Sequence, residues 1–508
     1  MYSMVKTAIS YGLESICIQV EADVSNGMPM FEMVGFLSSE VREARERVRT
    51  ALGNCGFKIP AKRITINLSP ADVRKSGSGF DLPVAAAILA ALGEVEQEAL
   101  HDTLILGEIS LDGRIQPIHG ILPLVAKAKE LGIKRCLIPY RNQAEAKLIP
   151  GIEIWSFEHI KELVSCLNGG GYTEQPAKNP DDGNHMESEL DFSEINGQET
   201  VKRACEVAVA GMHNFLMIGP PGSGKTMLAR RIPTILPPMT EEEQLEVSKI
   251  YSICGILPKT GMLMQRRPFR MPHHTISPNG LSGGGTVPKP GEISMAHKGV
   301  LFLDELAEFK KSTLEILRQP MEDKVITLVR QSGTYKYPSD FMMVAAMNPC
   351  KCGFFPDRSR CSCRELDVAR YLGKISKPLL DRIDICVDAP LLCYDELTRK
   401  GNNESSARIR SRVMAAQERQ RYRFRDREIQ YNSQISAKDI ETYCRLDEKQ
   451  QKYMREIYQS MDLSARGYYK ILKTARTIAD LESCEKLGMH HLNEAVCYRI
   501  LDKKYWEA

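Results

Sequence analysis

Gly219-Pro220-Pro221-Gly222-Ser223-Gly224-Lys225-Thr226 decides the fold. The octapeptide fits G-x-x-x-x-G-K-[ST], the phosphate-cradling P-loop. Phe215-Leu216-Met217-Ile218 precedes it, a short apolar run that reads as a buried strand. Met227-Leu228-Ala229-Arg230-Arg231 follows and reads as the start of a helix. In a strand–turn–helix context the backbone N–H groups of the turn face phosphates, and the helix N-terminus adds its positive dipole end. Lys225 is then placed to reach the β and γ phosphates of ATP, and the Thr226 hydroxyl to hold Mg²⁺.

Downstream, Gly299-Val300-Leu301-Phe302-Leu303-Asp304-Glu305 runs four apolar residues into two carboxylates. That pattern suits a strand inside a parallel sheet with acids at its carboxyl end. Asp304 is the candidate Mg²⁺ ligand, directly or through water, and Glu305 the group that orients or deprotonates the attacking water. A third apolar run, Phe341 to Met347, ends at Asn348. Asn348 either binds the water or the γ-phosphate, or makes an Asx-turn before Pro349.

Cys350-Lys351-Cys352 and Cys361-Ser362-Cys363 form C-x-C…C-x-C around a turn-prone loop with Gly353, Pro356 and Asp357. Four thiolates at short spacing suit a structural Zn²⁺, with free thiols as the alternative. His273 and His274 lie between Pro272 and Pro278 and read as structural or loop residues, as does His297.

A chain of 508 residues exceeds one core and suggests roughly three domains. Lys and Arg number 68 against 65 Asp and Glu, net +3, so any nucleic-acid surface is local. No run of about 18 apolar residues is present, which argues against a membrane span. Met1 to Gln19 carries Lys6 and Glu14 and has no long apolar core, which argues against a signal peptide. Fifteen cysteines, an odd number, fit a reducing compartment, and a cytoplasmic location is expected.

Gly169-Gly170-Gly171 and the polar stretch Gln175 to Glu189 read as a connector. The expected division is a front domain over 1–168, a linker over 169–189, an ATPase core over 190–390 and a helical lid over 391–508. The front domain reads as mixed α/β. Arg63 to Leu68 alternates as a half-buried strand does, and Asp112-Gly113 marks a hairpin turn. Glu40 to Leu52 and Pro83 to Leu92 read as helices.

Two surfaces are candidates for DNA. From Arg408 to Arg427 there are eight Arg, with Arg419, Arg423 and Arg427 at i, i+4 spacing and Tyr422 and Phe424 interleaved. Arg with aromatics suits phosphate contact plus base stacking, and a solvated lid helix is the alternative. The Gly-rich segment Asn279 to Gly291, with Lys289, reads as a mobile loop able to contact phosphates without reading bases.

The front domain resembles the proteolytic domain of Lon. The resemblance is carried by Lys75-Ser76-Gly77-Ser78-Gly79-Phe80, by Gly107 to Ile118, and by Gly132-Ile133 and Leu137-Ile138-Pro139. Lon-type proteolysis uses a Ser activated by a Lys. Gly79 stands where the family's nucleophile falls, with Ser78 one position away, and Leu122 stands where the Lys falls. A Lon-like fold without peptidase activity is therefore expected.

Pro272-His273-His274-Thr275, Pro290 to Ser294, Leu301 to Glu308, Arg318 to Asp323 and Leu379-Leu380-Asp381-Arg382-Ile383-Asp384 resemble the magnesium-chelatase-like branch of AAA+ ATPases. Joined to a Lon-like front domain, they resemble the ComM/YifB family over nearly the whole chain. The resemblance implies an α/β fold: a Lon-protease-like α+β N-terminal domain, a P-loop AAA+ parallel-sheet core and a C-terminal helical lid. It implies Arg382 as an arginine finger serving a neighbouring subunit, and Arg466 at the sensor-2 position, with Arg476 the weaker alternative. It implies a homo-oligomeric, hexameric ring that hydrolyses ATP with Mg²⁺ and acts on DNA, in branch migration during natural transformation and recombination. The alternatives are a magnesium-chelatase-type motor subunit or an ATP-dependent protein remodeler.

Overall fold

The computed structural model describes residues 1–175, 190–258, 261–331, 333–398 and 403–506. Most of the polar stretch read as a connector, residues 176–189, lies outside the described residues.

The front of the chain builds a seven-stranded mixed sheet. Its order is Met30–Val34, Arg63–Ser69, Glu14–Ser25, Tyr2–Tyr11, Thr103–Ile105, Arg135–Pro139 and Glu153–Phe157. Helix Asp81–Leu92, Ala-rich and buried along almost its whole length, packs against this sheet together with helix Ser39–Asn54. Helix Ile121–Glu130 joins a separate apolar cluster with Leu104, Cys136 and Ile138. The Asp112-Gly113 turn joins Glu108–Ile109 to Ile115–Gln116, which pair antiparallel.

The middle of the chain is a five-stranded sheet ordered Phe269–Arg270, Val300–Leu303, Met342–Met347, Phe215–Ile218, Ile385–Asp388. Every pair is parallel. Phe215–Ile218, Val300–Leu303 and Met342–Met347 are buried residue by residue, as their unbroken apolar runs require. The strand Phe215–Ile218 lies between two strands that come much later in the chain, so its carboxyl end opens at a point where strand order reverses. Ligands of open α/β sheets bind at such a point.

Helices Ser406–Arg423 and Ala465–Leu481 share one apolar core with helix Glu199–Gly211 and the sheet. The basic stretch from Arg408 to Arg427 departs from its expected form here. The helix ends at Arg423, so Arg427 is not on its face. Arg423 pairs with the buried carboxylate of Asp480, and Arg419 donates to the Asp480 carbonyl (3.1 Å) and Ser483 Oγ (2.7 Å). Phe424 is buried and so closed to base stacking. Arg408, Arg410, Arg421 and Arg425 remain exposed.

The segment Asn279 to Gly291 is more ordered than a mobile loop. A short helix, Pro278–Ser282, leads into Gly283–Gly284, which pairs antiparallel with Lys289–Pro290. Tyr337 Oη, from the hairpin Val325–Arg330/Gly333–Pro338, donates to Pro288 O at 2.6 Å. The tips of the two hairpins meet, with Arg330 against Gly284.

Among the described residues, the front domain touches the ATPase region through Gly120 and Leu122 and through Tyr11, among other contacts. Gly120 N donates to Ser252 O (3.0 Å) and Leu122 N to Ser252 Oγ (3.3 Å), at the end of helix Glu241–Cys254. Tyr11 packs on Tyr335 with ring centroids 4.5 Å apart and the rings tilted by 31°, and its hydroxyl accepts from Thr334 N at 3.0 Å. Such an aromatic pair contributes about 0.5–1.5 kcal/mol beyond its buried area.

Candidate functional site: a phosphate cradle at the strand ends

The chain turns at Gly219, where an added Cβ would lie 2.1 Å from Ala389 O, so only glycine fits. Gly224, at φ +82°, sits in the left-handed region and starts helix Lys225–Ile235. The turn is fixed to the next strand by Gly219 N donating to Met347 O at 3.1 Å.

Lys225 Nζ donates to Gly219 O (2.8 Å), Pro220 O (2.8 Å), Ser223 Oγ (3.3 Å) and Asn348 Oδ1 (3.3 Å). The Thr226 hydroxyl donates to Asp304 Oδ2 at 2.7 Å. Asp304 Oδ1 accepts from Glu305 N at 2.9 Å. Lys225, Thr226, Asp304, Glu305 and Asn348 are thus linked by hydrogen bonds across three adjacent strand ends. A hydroxyl and a carboxylate side by side form a hard-oxygen pair suited to Mg²⁺, and a lysine beside exposed turn amides suits polyphosphate.

Glu305 has φ +52°, a left-handed conformation that costs a non-glycine residue about 1–2 kcal/mol. Its carboxylate Oε2 lies 3.4 Å from His274 Nδ1, and the His274 ring is tilted against His273 at 4.1 Å. In the sequence His274 reads as a structural or loop residue. Its place beside Glu305 was hidden because the two residues meet only through the fold.

Arg382 and Arg466 gather around Glu322 rather than around Lys225. Arg382 donates through Nη2 to Glu322 Oε1 (2.7 Å), through Nη1 to Pro378 O (2.6 Å) and through Nε to Arg318 O (3.2 Å). Arg466 Nη2 lies 3.6 Å from the same Glu322 oxygen and is 61% exposed. Arg476, the weaker alternative to Arg466, is buried and bound to Asp480.

Asp384 anchors this segment. Its Oδ2 accepts from Asn214 N (2.9 Å), and Lys470 Nζ lies 3.1 Å from Oδ1. Burial opposes its charge, but Lys470 and His213 outweigh burial and hold its carboxyl well below the usual range.

A cavity of about 990 Å³ borders the cradle, lined among others by Asn196, Gly197, Pro390 and Tyr498. Gln198 Nε2 ties it to the P-loop by donating to Ser223 O (3.2 Å) and Pro390 O (2.6 Å).

Directly after Asn348, the four cysteine sulfurs lie within 4.8 Å of one another. In the front domain, Leu122 is fully buried, the Ser78 hydroxyl donates to the Glu108 carboxylate, and the Lys75 amine donates to Pro70 O.

Burial pushes the Lys225 ammonium down to about 8, against the opposing pull of Asp304. The free site therefore loses this charge as pH rises past 8, whereas bound polyphosphate favours the cation. ATP binding should take up a proton above pH 8 and none from this group near pH 6.5, and affinity should fall by up to about tenfold per unit above 8. Calorimetry in buffers of different ionisation enthalpy reads the uptake, and Lys225→Met should remove it. Equal affinity at pH 7 and 9 would contradict this.

Comparison with known proteins finds three family matches along the chain. Residues 191–397 match the family described as magnesium chelatase, subunit ChlI. Residues 20–142 match subunit ChlI of Mg-chelatase, and residues 403–499 its C-terminal region. The chain is 39% identical over 503 residues to protein YifB of Escherichia coli K12, covering 99% of this chain and 97% of that one. It is 38% identical over 504 residues to competence protein ComM of Haemophilus influenzae, covering 98% and 97%. Lon protease 2 of Bacillus subtilis is 32% identical over 156 residues, 29% of this chain and 28% of the protease.

Proposed function

The chain belongs to the magnesium-chelatase-like AAA+ family that includes YifB and ComM, and from that membership we propose an ATP-driven ring motor that acts on DNA. Membership makes it an AAA+ ATPase.

The turn amides from Gly219 to Gly224 and Lys225 bind the β and γ phosphates, and the cavity beside Gln198 takes the base. Thr226 and Asp304 would hold Mg²⁺, which would supply charge neutralisation on the phosphates. Glu305, set in a fixed conformation and steadied by His274, orients the attacking water and accepts its proton. Asn348 holds the γ-phosphate or the water from the neighbouring strand end. Arg382 and Arg466 serve the next subunit's nucleotide, which makes a ring, hexameric as AAA+ rings commonly are, the working unit. The observation that carries hydrolysis is the bonded set Lys225–Asn348 and Thr226–Asp304–Glu305 at adjacent strand ends.

Three observations favour DNA over a protein substrate. The relative matched over 98% of this chain is named a competence protein, and competence is the state in which a cell takes up DNA. By the resemblance, Gly79 stands where Lon would carry its Ser, with Ser78 one position away, and Leu122 stands where the Lys would fall; a leucine cannot take a proton, which disfavours Lon-type proteolysis. Lys289, Arg330 and Lys336 are exposed on the two touching hairpins and can meet phosphates without reading bases. Branch migration, the movement of a DNA junction during recombination, is the activity this combination suits best.

Forked or four-way DNA at low salt should raise ATP turnover, and the stimulation should weaken with salt by a log–log slope of about 0.7–0.9 per phosphate contact. Arg330→Ala and Lys289→Ala should each reduce that slope. Turnover indifferent to DNA, or raised instead by unfolded casein, would favour a chelatase-type motor or a protein remodeler.

A further inference from the structure

We propose that Cys350, Cys352, Cys361 and Cys363 bind one Zn²⁺, and that this site holds the end of the Met342–Met347 strand and the P-loop in register. The metal site stands on its own residues; its effect on nucleotide rests on the ATP-site reading above.

The geometry of the sulfurs carries the first half. Cys350 and Cys352 Sγ are 3.3 Å apart, Cys350 and Cys361 3.8 Å, and Cys352 and Cys361 3.5 Å. Four thiolates around one tetrahedral zinc, at Zn–S of about 2.3 Å, would stand about 3.8 Å from each other. Disulfides would need about 2.05 Å. The loop is already folded for the purpose. Phe355 N donates to Cys350 Sγ at 3.4 Å, and such N–H···S bonds stabilise a ligating thiolate. Asp357 O accepts from Cys361 N at 2.8 Å, which brings the second Cys pair back onto the first.

The second half comes from what this loop touches. Asn348, two residues before Cys350, accepts from Lys225 Nζ. Gly353, one residue after Cys352, sits so close to the P-loop that an added Cβ would lie 2.3 Å from Pro221 Cδ. Phe355 packs at 6.3 Å on Tyr505, whose hydroxyl donates to Asp388 at the end of the next strand but one. One ion at Cys350–Cys363 therefore fixes a segment that contacts the nucleotide cradle at two points. Displacing a positioned group by about 1 Å can cost about 100-fold in rate.

The test uses the full chain purified without added metal. Elemental analysis should find about one zinc per chain, and the double variant Cys361→Ser/Cys363→Ser should contain none. Replacement by Co²⁺ should give the strong visible bands of a tetrahedral thiolate site. Removing zinc from the unmodified chain with a mercurial, then restoring thiols without metal, should cut ATP turnover about 10–100-fold; adding Zn²⁺ back should restore it. That arm is independent of whether the variant folds. A metal-free chain as purified, with no Co²⁺ spectrum on loading, would overturn the site. Stoichiometric zinc whose removal leaves ATP affinity and turnover unchanged would overturn the positioning role. Zinc content is measured without nucleotide, so failure of the metal site is distinguishable from failure of the ATPase reading.

Discussion

Glu305→Gln is expected to lower ATP turnover by about 100- to 10,000-fold, the range for losing a positioned general base, while ATP still binds. Gln keeps the length and the left-handed backbone of residue 305 but cannot accept a proton. The cradle itself is built by other residues: Lys225 on Asn348, and Thr226 on Asp304. Affinity for a fluorescent ATP analogue should therefore stay within a few-fold of the parent chain. Loss of binding together with turnover would mean that Glu305 supports the turn rather than the reaction. His274→Ala offers a graded comparison. It leaves Glu305 chemically intact but removes the ring 3.4 Å from its carboxylate, so it should lower kcat more than it raises the KM for ATP.

Arg382→Ala should reduce turnover by about 1,000-fold or more, the lower end of what an arginine finger supplies. Within one chain three of the five Arg382 N–H donors are engaged, by Glu322, Arg318 O and Pro378 O. To serve a neighbour it must exchange Glu322 for a phosphate. Arg466, on the same Glu322 and more exposed, is placed to follow it. A structural role would instead show as lost stability. Glu322→Gln separates the two: it weakens the same intrachain pairing, so it should lower the melting temperature about as much as Arg382→Ala if pairing is all that matters, yet keep hydrolysis.

Subunit mixing then tests the shared site. Arg382→Ala chains keep Lys225, and Lys225→Ala chains keep Arg382. In randomly mixed rings roughly a quarter of the head-to-tail junctions would join an intact cradle to an intact finger. Activity of the mixture well above that of either variant alone is the expected result; no recovery would place Arg382 outside the neighbour's site.

The parts of the molecule legible in the sequence are those whose chemistry is local. The P-loop, the run Val300 to Glu305 and the run ending at Asn348 each carry strand, turn and polar group within a few residues, and the parallel sheet follows from their apolar continuity. The front domain's helices and its Asp112-Gly113 hairpin were legible for the same reason. What stayed hidden depends on distant partners. The Arg-rich stretch reads in sequence as a basic face open to DNA or to solvent, yet Asp480 lies 57 residues beyond Arg423 and buries its charge. Glu322 gives no sign in sequence of holding both Arg382 and Arg466. The Gly-rich segment reads as mobile because glycine permits many conformations, while its brace, Tyr337, belongs to another hairpin.

The central claim is that the free energy of ATP hydrolysis at Lys225 and Glu305 moves a DNA junction. It is tested most directly by following release of a labelled strand from a four-way junction, at low salt, with the unmodified chain and with Glu305→Gln. The account predicts ATP-dependent release by the former, and DNA binding without release by the latter. ATP hydrolysis by the unmodified chain with no movement of the junction would contradict it.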